Sequence, residues 1–124
     1  MLFRSDLAAY DQILFIGKSI GTRAAACLAA QIPQRNRIRF ILYTPLEETF
    51  VYPFEDAIVF TGSKDPWVGE GRIAELCEER GIPCEIIPEA NHSLETKDPI
   101  EDIQTLRNVL KKTENFIQGG MNHE

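Results

Sequence analysis

Ser19 sits between two glycines, in Gly17-Lys18-Ser19-Ile20-Gly21, directly after the apolar run Gln12-Ile13-Leu14-Phe15-Ile16. A serine becomes a useful nucleophile when a sharp strand-to-helix turn lifts its hydroxyl clear of the sheet. Such a turn strains the serine backbone and leaves no room for side chains on either flank, which is the physical reason for glycine at both ends. The same turn places the Ile20 backbone N–H at the start of a helix, where it can donate to a developing oxyanion. The plainer reading makes the glycines ordinary turn residues and Ser19 a helix N-cap.

A serine nucleophile needs a base, and a histidine base needs an acid to hold its tautomer and to stabilise the imidazolium. The chain has two histidines, His92 in Glu89-Ala90-Asn91-His92-Ser93 and His123 beside the carboxyl terminus. His92 is therefore the candidate base, against the alternative of an ordinary surface-loop histidine. Asp65 follows another apolar run across Gly62-Ser63-Lys64 and is the candidate acid. Capping the next helix, or shaping the turn with Pro66, is its competing role. Ser19, Asp65 and His92 each come after a different apolar run, in the order Ser, Asp, His. Glu47 and Glu48 form a second acidic position, read first as a solvated loop. Phe50, Tyr52 and Phe54 read as packing residues, whereas Trp67, close to Asp65, can line a pocket. Lys18 and Lys64 can add positive charge near the site. Gly17-Lys18-Ser19 also has the end of a phosphate-binding loop, but that motif requires glycine where Gln12 stands.

The elements that must carry these residues are legible from hydrophobic pattern. Strands are expected at 12–16, 38–43, 57–61 and 84–87, all rich in apolar residues and bounded by Gly, Pro or Thr-Pro. The alanine-rich stretch from Gly21 to Gln31 predicts a helix that can lie close on a sheet, ended by Pro33. From Val68 to Arg80, Ile73, Leu76 and Cys77 share one helical face, with Gly81 as the stop. Ile100, Ile103, Leu106, Leu110 and Ile117 recur at helical spacing and predict a long helix packed on the sheet, ending before Gly119-Gly120. Residues 119–124 are expected to be a frayed tail. The alternation predicts an α/β fold: a mainly parallel sheet of about four strands flanked by helices, in a single domain over residues 1–124.

Composition sets limits on partners. The chain has 124 residues, is 44% hydrophobic and 26% charged, and carries a formal net charge of −6. An acidic chain is a poor match for nucleic acid, and Arg35, Arg37 and Arg39 read as solvated charges leading into a strand. No apolar run reaches the roughly 20 residues of a membrane span and the first residues lack the pattern of a secretory signal, so a cytoplasmic location is expected. Cys27, Cys77 and Cys84 suggest neither a disulfide framework nor a zinc site, and are expected to be small packing residues.

Taken together, Ile13 to Ala26, Val59 to Trp67 and Ile86 to Leu94 resemble the nucleophile elbow, acid loop and histidine loop of the α/β-hydrolase family. The resemblance implies Ser19 as nucleophile, Asp65 as acid, His92 as base and the Ile20 N–H as oxyanion donor. It implies hydrolysis of a small ester or other acyl compound through an acyl-enzyme, with no metal or organic cofactor. Members of the family carry further strands before the elbow, and a loop there supplies a second oxyanion N–H. About a dozen residues precede the elbow strand here, so the chain resembles the C-terminal half of the fold. Without a preceding neighbour, strand 12–16 would leave an open apolar edge. Residues 1–9, a second copy or a partner chain could cover it. In the last two cases a hydrolase-derived interaction module is the alternative to an enzyme.

Overall fold

In a computed structural model, residues 9–33 and 35–122 are described. The chain runs β1 (Gln12–Lys18), α1 (Ile20–Ala29), β2 (Arg37–Tyr43), a 3-10 turn (Glu47–Val51), β3 (Ala57–Gly62), α2 (Arg72–Arg80), β4 (Cys84–Ile87) and α3 (Pro99–Asn122). The four strands form one sheet in the order β1-β2-β3-β4, every pair parallel. The expected α/β architecture is therefore present. Every residue of β3 is buried, which is why its sequence is a continuous apolar run rather than an alternating one.

The register sorts side chains to two faces. Ile41 of β2 lies opposite Ile16 of β1 and Ile58 of β3. On one face Phe40, Leu42, Ala57 and Val59 pack with Ala26 and Ala29 of α1 and with Ile73 and Cys77 of α2. Small residues let α1 approach closely: Ala26 is fully buried. Phe50 and Phe54 belong to this same core, and Tyr52 packs against it, as packing residues should. On the other face Ile41, Ile58 and Phe60 pack with Val109 of α3, and half-buried Phe116 and Ile117 complete the contact.

Cys77 and Cys84 are free thiols of this interior. A hydrogen bond donated by its S–H to Cys84, together with burial, pushes Cys77 above the ordinary thiol range, so it stays protonated and packs as an apolar group. Arg37 and Arg39 both pair with Asp56, at 3.3 and 3.2 Å, and the Arg39 guanidinium lies 3.9 Å over the Phe116 ring. These two arginines are thus engaged in holding α3 and the start of β3 to the sheet.

Two helix boundaries differ most from the sequence expectation. The second helix begins at Arg72 rather than Val68, because the chain turns through Gly71 in the left-handed conformation before helical bonding starts. The stretch after β2 forms a short 3-10 turn. The last helix does not stop before Gly119-Gly120 but continues to Asn122, since glycine costs a helix only about 1 kcal/mol and no proline follows. The frayed tail expected over 119–124 is thus helical through Asn122, while residues 123 and 124 lie outside the described residues, as does His123.

A larger correction concerns what α3 buries. Val109, Phe116 and Ile117 face the sheet, and Tyr43 Oη shares a 2.7 Å hydrogen bond with Thr113 Oγ1. Of the expected core stripe Ile117 alone packs there, and the other four residues are exposed: Ile100 66%, Ile103 65%, Leu106 58% and Leu110 56%. Among the described residues the helix covers β2 to β4 and does not reach β1, whose Leu14 and Ile16 are also exposed on that side.

Candidate active site

Parallel strands deliver their loops to one edge, and all three candidate residues arise there. Ser19 follows β1 directly, at φ 55° and ψ −124°, a conformation that costs a non-glycine residue about 1–3 kcal/mol. Its N–H donates to the Tyr43 carbonyl at 2.9 Å, and its own carbonyl accepts from the Thr22 hydroxyl at 2.7 Å. Gly17 is needed for this turn: a Cβ there would stand 2.9 Å from the Gly21 carbonyl oxygen. The Ser19 side chain makes no capping bond to α1, so the N-cap reading does not describe it. Among the described residues, the non-glycine residues with positive φ are Ser19, Thr44, Glu89 and Leu94, and all lie in the turns that leave β1, β2 and β4 at this edge. Strain concentrated at one edge is what a constrained functional site produces.

The Ser19 hydroxyl lies 2.7 Å from His92 Nε2, and His92 Nδ1 lies 2.8 Å from Asp65 Oδ2. The Asp65 side chain is fully buried and that of His92 is 19% exposed. The second carboxylate oxygen of Asp65 accepts from the Trp67 N–H at 2.8 Å, so both oxygens of the buried carboxylate are paired. Trp67 stacks on the His92 ring with centroids 5.2 Å apart and planes 26° apart, while remaining 69% exposed. Ile20, the first residue of α1, has an N–H without an intrahelical acceptor. Glu47 accepts from the Gly69 N–H at 2.9 Å and faces Arg72 at 3.7 Å, which fixes the loop before α2. It is Asp65, and neither Glu47 nor the exposed Glu48, that reaches the imidazole. Lys18 and Lys64 are exposed near this edge.

Sequence reading missed the residues that hold the loops together. The acid and histidine loops are joined by hydrogen bonds from the Ser63 N–H to the Ile87 carbonyl, the Lys64 N–H to the Ala90 carbonyl, and the Glu89 N–H to Ser63 Oγ. Asn91 Oδ1 accepts from the N–H groups of Ser93 and Glu95, folding the chain around His92. Asparagine's habit of bonding backbone two residues on was the available signal. Gly62 lies where the two loops cross: a Cβ there would meet the Ala90 and Asn91 carbonyl oxygens at 2.3 and 2.6 Å. We predict that Gly62→Val pushes the histidine loop outward. The expected loss is about 1–3 kcal/mol of stability in urea unfolding, and about a hundredfold in any rate that depends on His92.

Among the described residues there is no cluster of three His, Cys, Asp or Glu side chains able to hold a metal. Nor is any described helix long and apolar enough to cross a membrane.

No protein-family model and no curated protein matches the chain. Solved structures do. A protein described as a hydrolase of the α/β superfamily from Xanthomonas campestris pv. campestris matches 92% of this chain at a TM-score of 0.63 and 14% identity. A protein described as a YdeN-like hydrolase from Pectobacterium atrosepticum matches 73% at a TM-score of 0.55 and 20% identity. The chain spans 64% and 54% of the length of these two structures respectively. At such identities the likeness is one of fold, and the fold is that of the α/β hydrolases.

Proposed function

We propose that this chain, which has the α/β-hydrolase fold, is a serine hydrolase that cleaves a small ester or related acyl compound. The observation that carries the reading is the continuous hydrogen-bonded line from Ser19 Oγ through His92 to Asp65, at 2.7 and 2.8 Å. With the proton on Nδ1 held by Asp65, Nε2 is free to accept the Ser19 hydroxyl proton as the oxygen attacks the carbonyl carbon. The oxyanion forms toward the Ile20 N–H. As the tetrahedral intermediate collapses, His92 returns the proton to the leaving alcohol and an acyl-Ser19 ester remains. Water then repeats the sequence and releases the acid. Three protein side chains supply these proton movements, and the reading invokes no metal or organic cofactor. We place the protein in the cytoplasm.

The reading as an interaction module without catalysis draws on the exposed β1 edge. It gives no reason for a strained serine aimed at an imidazole that is itself paired to a buried carboxylate. The enzyme reading does. Mixing the folded protein with p-nitrophenyl acetate should release a burst of nitrophenolate stoichiometric with Ser19, followed by slower turnover. A folded protein that shows neither burst nor turnover would exclude it.

Trp67 adds a face to this site. Its ring lies against the imidazole that becomes cationic during the reaction, an arrangement worth roughly 0.5–1 kcal/mol at an exposed position. Trp67→Ala should therefore lower kcat about two- to fivefold, whereas Trp67→Phe should retain most of it; stopped-flow hydrolysis would check this.

A further inference from the structure

Helical periodicity assigns Ile103, Leu106 and Leu110 to the core, yet the fold leaves all three at the surface. They are not scattered there. With Tyr43, Leu94 and Val109 they line a groove of about 450 Å³ that runs along α3. That size lies in the ordinary range of small-molecule sites, which are concave and mainly apolar.

The groove starts at the catalytic edge. The Thr96 N–H and hydroxyl both donate to Asp102 Oδ1 at 2.8 Å, which ties the first turns of α3 to the histidine loop. Further on, Thr113 bonds Tyr43 Oη and Phe116 lies under the Arg39 guanidinium, so α3 descends along β2 away from that edge. The lining changes in the same direction. Lys18, Ser93, Glu95 and Asp102 make the upper end polar, and Leu106, Val109 and Leu110 make the lower end apolar. Lys18 adjoins Ser19, and Leu94 lies two residues past His92. Tyr43 joins groove and nucleophile: its carbonyl accepts the Ser19 N–H at 2.9 Å, while its ring, stacked on Phe60 at 5.3 Å, forms part of the wall.

A polar end beside the nucleophile and an apolar end beyond it match an ester whose carbonyl sits at Ser19 and whose hydrocarbon tail runs down α3. From Asp102 to Leu110 the helix advances about 12 Å, at roughly 1.5 Å per residue. Staggered C–C bonds of about 1.5 Å advance roughly 1.3 Å each, so a chain of about eight to ten carbons spans that distance. A protein helix fits less well, since at about 10 Å across the same length displaces roughly 900 Å³. We infer that the groove holds the unbranched acyl chain of the substrate, about eight to ten carbons long, against Leu106 and Leu110. The inference rests on the hydrolase reading and narrows it to medium-chain acyl esters. The acyl side is assigned because the acyl group stays on Ser19 through both chemical steps, and the groove reaches Ser19 through Lys18 and Tyr43. The alcohol takes its proton at His92, whose ring stacks on the exposed Trp67.

The test is hydrolysis of p-nitrophenyl esters from acetate to dodecanoate by the 124-residue protein, at concentrations below micelle formation. A chain with half its surface covered gains about twofold per methylene, so kcat/KM should rise roughly fiftyfold from acetate to octanoate and level off near about ten carbons. Leu106→Lys, at an exposed position, should keep the urea midpoint and cut the octanoate-to-acetate ratio by about tenfold or more. Val51→Lys, on the 3-10 turn and also exposed, should keep the ratio. Alkyl acetates lengthened on the alcohol side should show no such rise. Acetate hydrolysis with a rate that is flat or falls along the acyl series overturns the inference and leaves the hydrolase reading intact. A rise that Leu106→Lys ignores, or one that follows the alcohol chain instead, does the same. If no ester is hydrolysed, titration calorimetry with decanoate decides. One-to-one binding weakened about tenfold by Leu106→Lys keeps the chain-binding groove and removes the hydrolase reading, whereas no binding overturns both.

Discussion

Ser19→Ala should abolish ester hydrolysis, lowering kcat by about 10⁴-fold or more, because no other group in the line can form the acyl intermediate. The fold should survive the change. Ser19 Oγ bonds His92, whereas the turn itself is held by backbone bonds to Tyr43 and Thr22. Alanine at φ 55° keeps the strain that serine already bears, so the urea midpoint should move little. A large loss of stability accompanying the loss of rate would mean that the serine is structural. His92→Ala should match the rate loss of Ser19→Ala without adding to it in the double variant, since the two act as a unit.

Asp65→Asn has the next largest expected effect, a fall in kcat approaching 10⁴-fold. The amide preserves the size of the group and can still accept from the Trp67 N–H. Toward His92, however, it offers a donor as readily as an acceptor, which favours the tautomer with Nε2 protonated and removes the base from Ser19. Stability should respond more modestly, because the buried charge is removed while the Trp67 N–H keeps its acceptor. The outcome that contradicts this is a variant with near-native kcat, which would show that the imidazole is oriented without the carboxylate. Glu47 offers no substitute, being occupied with Gly69 and Arg72.

How much of this could be read beforehand follows from which forces act locally. Strands β1 to β4 announce themselves because buried parallel strands are short apolar runs, and the break after each is a Gly, Pro or Thr-Pro that local sterics alone explain. Ser19, Asp65 and His92 are legible for a related reason: parallel strands deliver every following loop to the same edge, so order along the chain becomes proximity in space. Gly62 was passed over because its necessity comes from the Ala90–Asn91 backbone, 28 residues away in the case of Ala90, and no local pattern encodes that approach. The stripe Ile100, Ile103, Leu106 and Leu110 shows the opposite limit. Helical spacing reveals an apolar face but not what covers it, and here the sheet takes Val109 and Phe116 and leaves the stripe exposed.

Among the described residues the N–H proposed to meet the oxyanion is that of Ile20, and a site with one such donor typically runs about a hundredfold or more slower than one with two. Slow turnover with an intact nucleophile is therefore the expected behaviour of the isolated chain, and a covalent probe reads the nucleophile without depending on turnover. The decisive measurement is peptide mass spectrometry after treating the folded protein with a fluorophosphonate. The predicted result is one phosphonyl adduct, on Ser19, lost in Ser19→Ala and strongly slowed in His92→Ala. A folded protein in which Ser19 stays unmodified under conditions that label an ordinary serine esterase would contradict the assignment of Ser19 as a nucleophile.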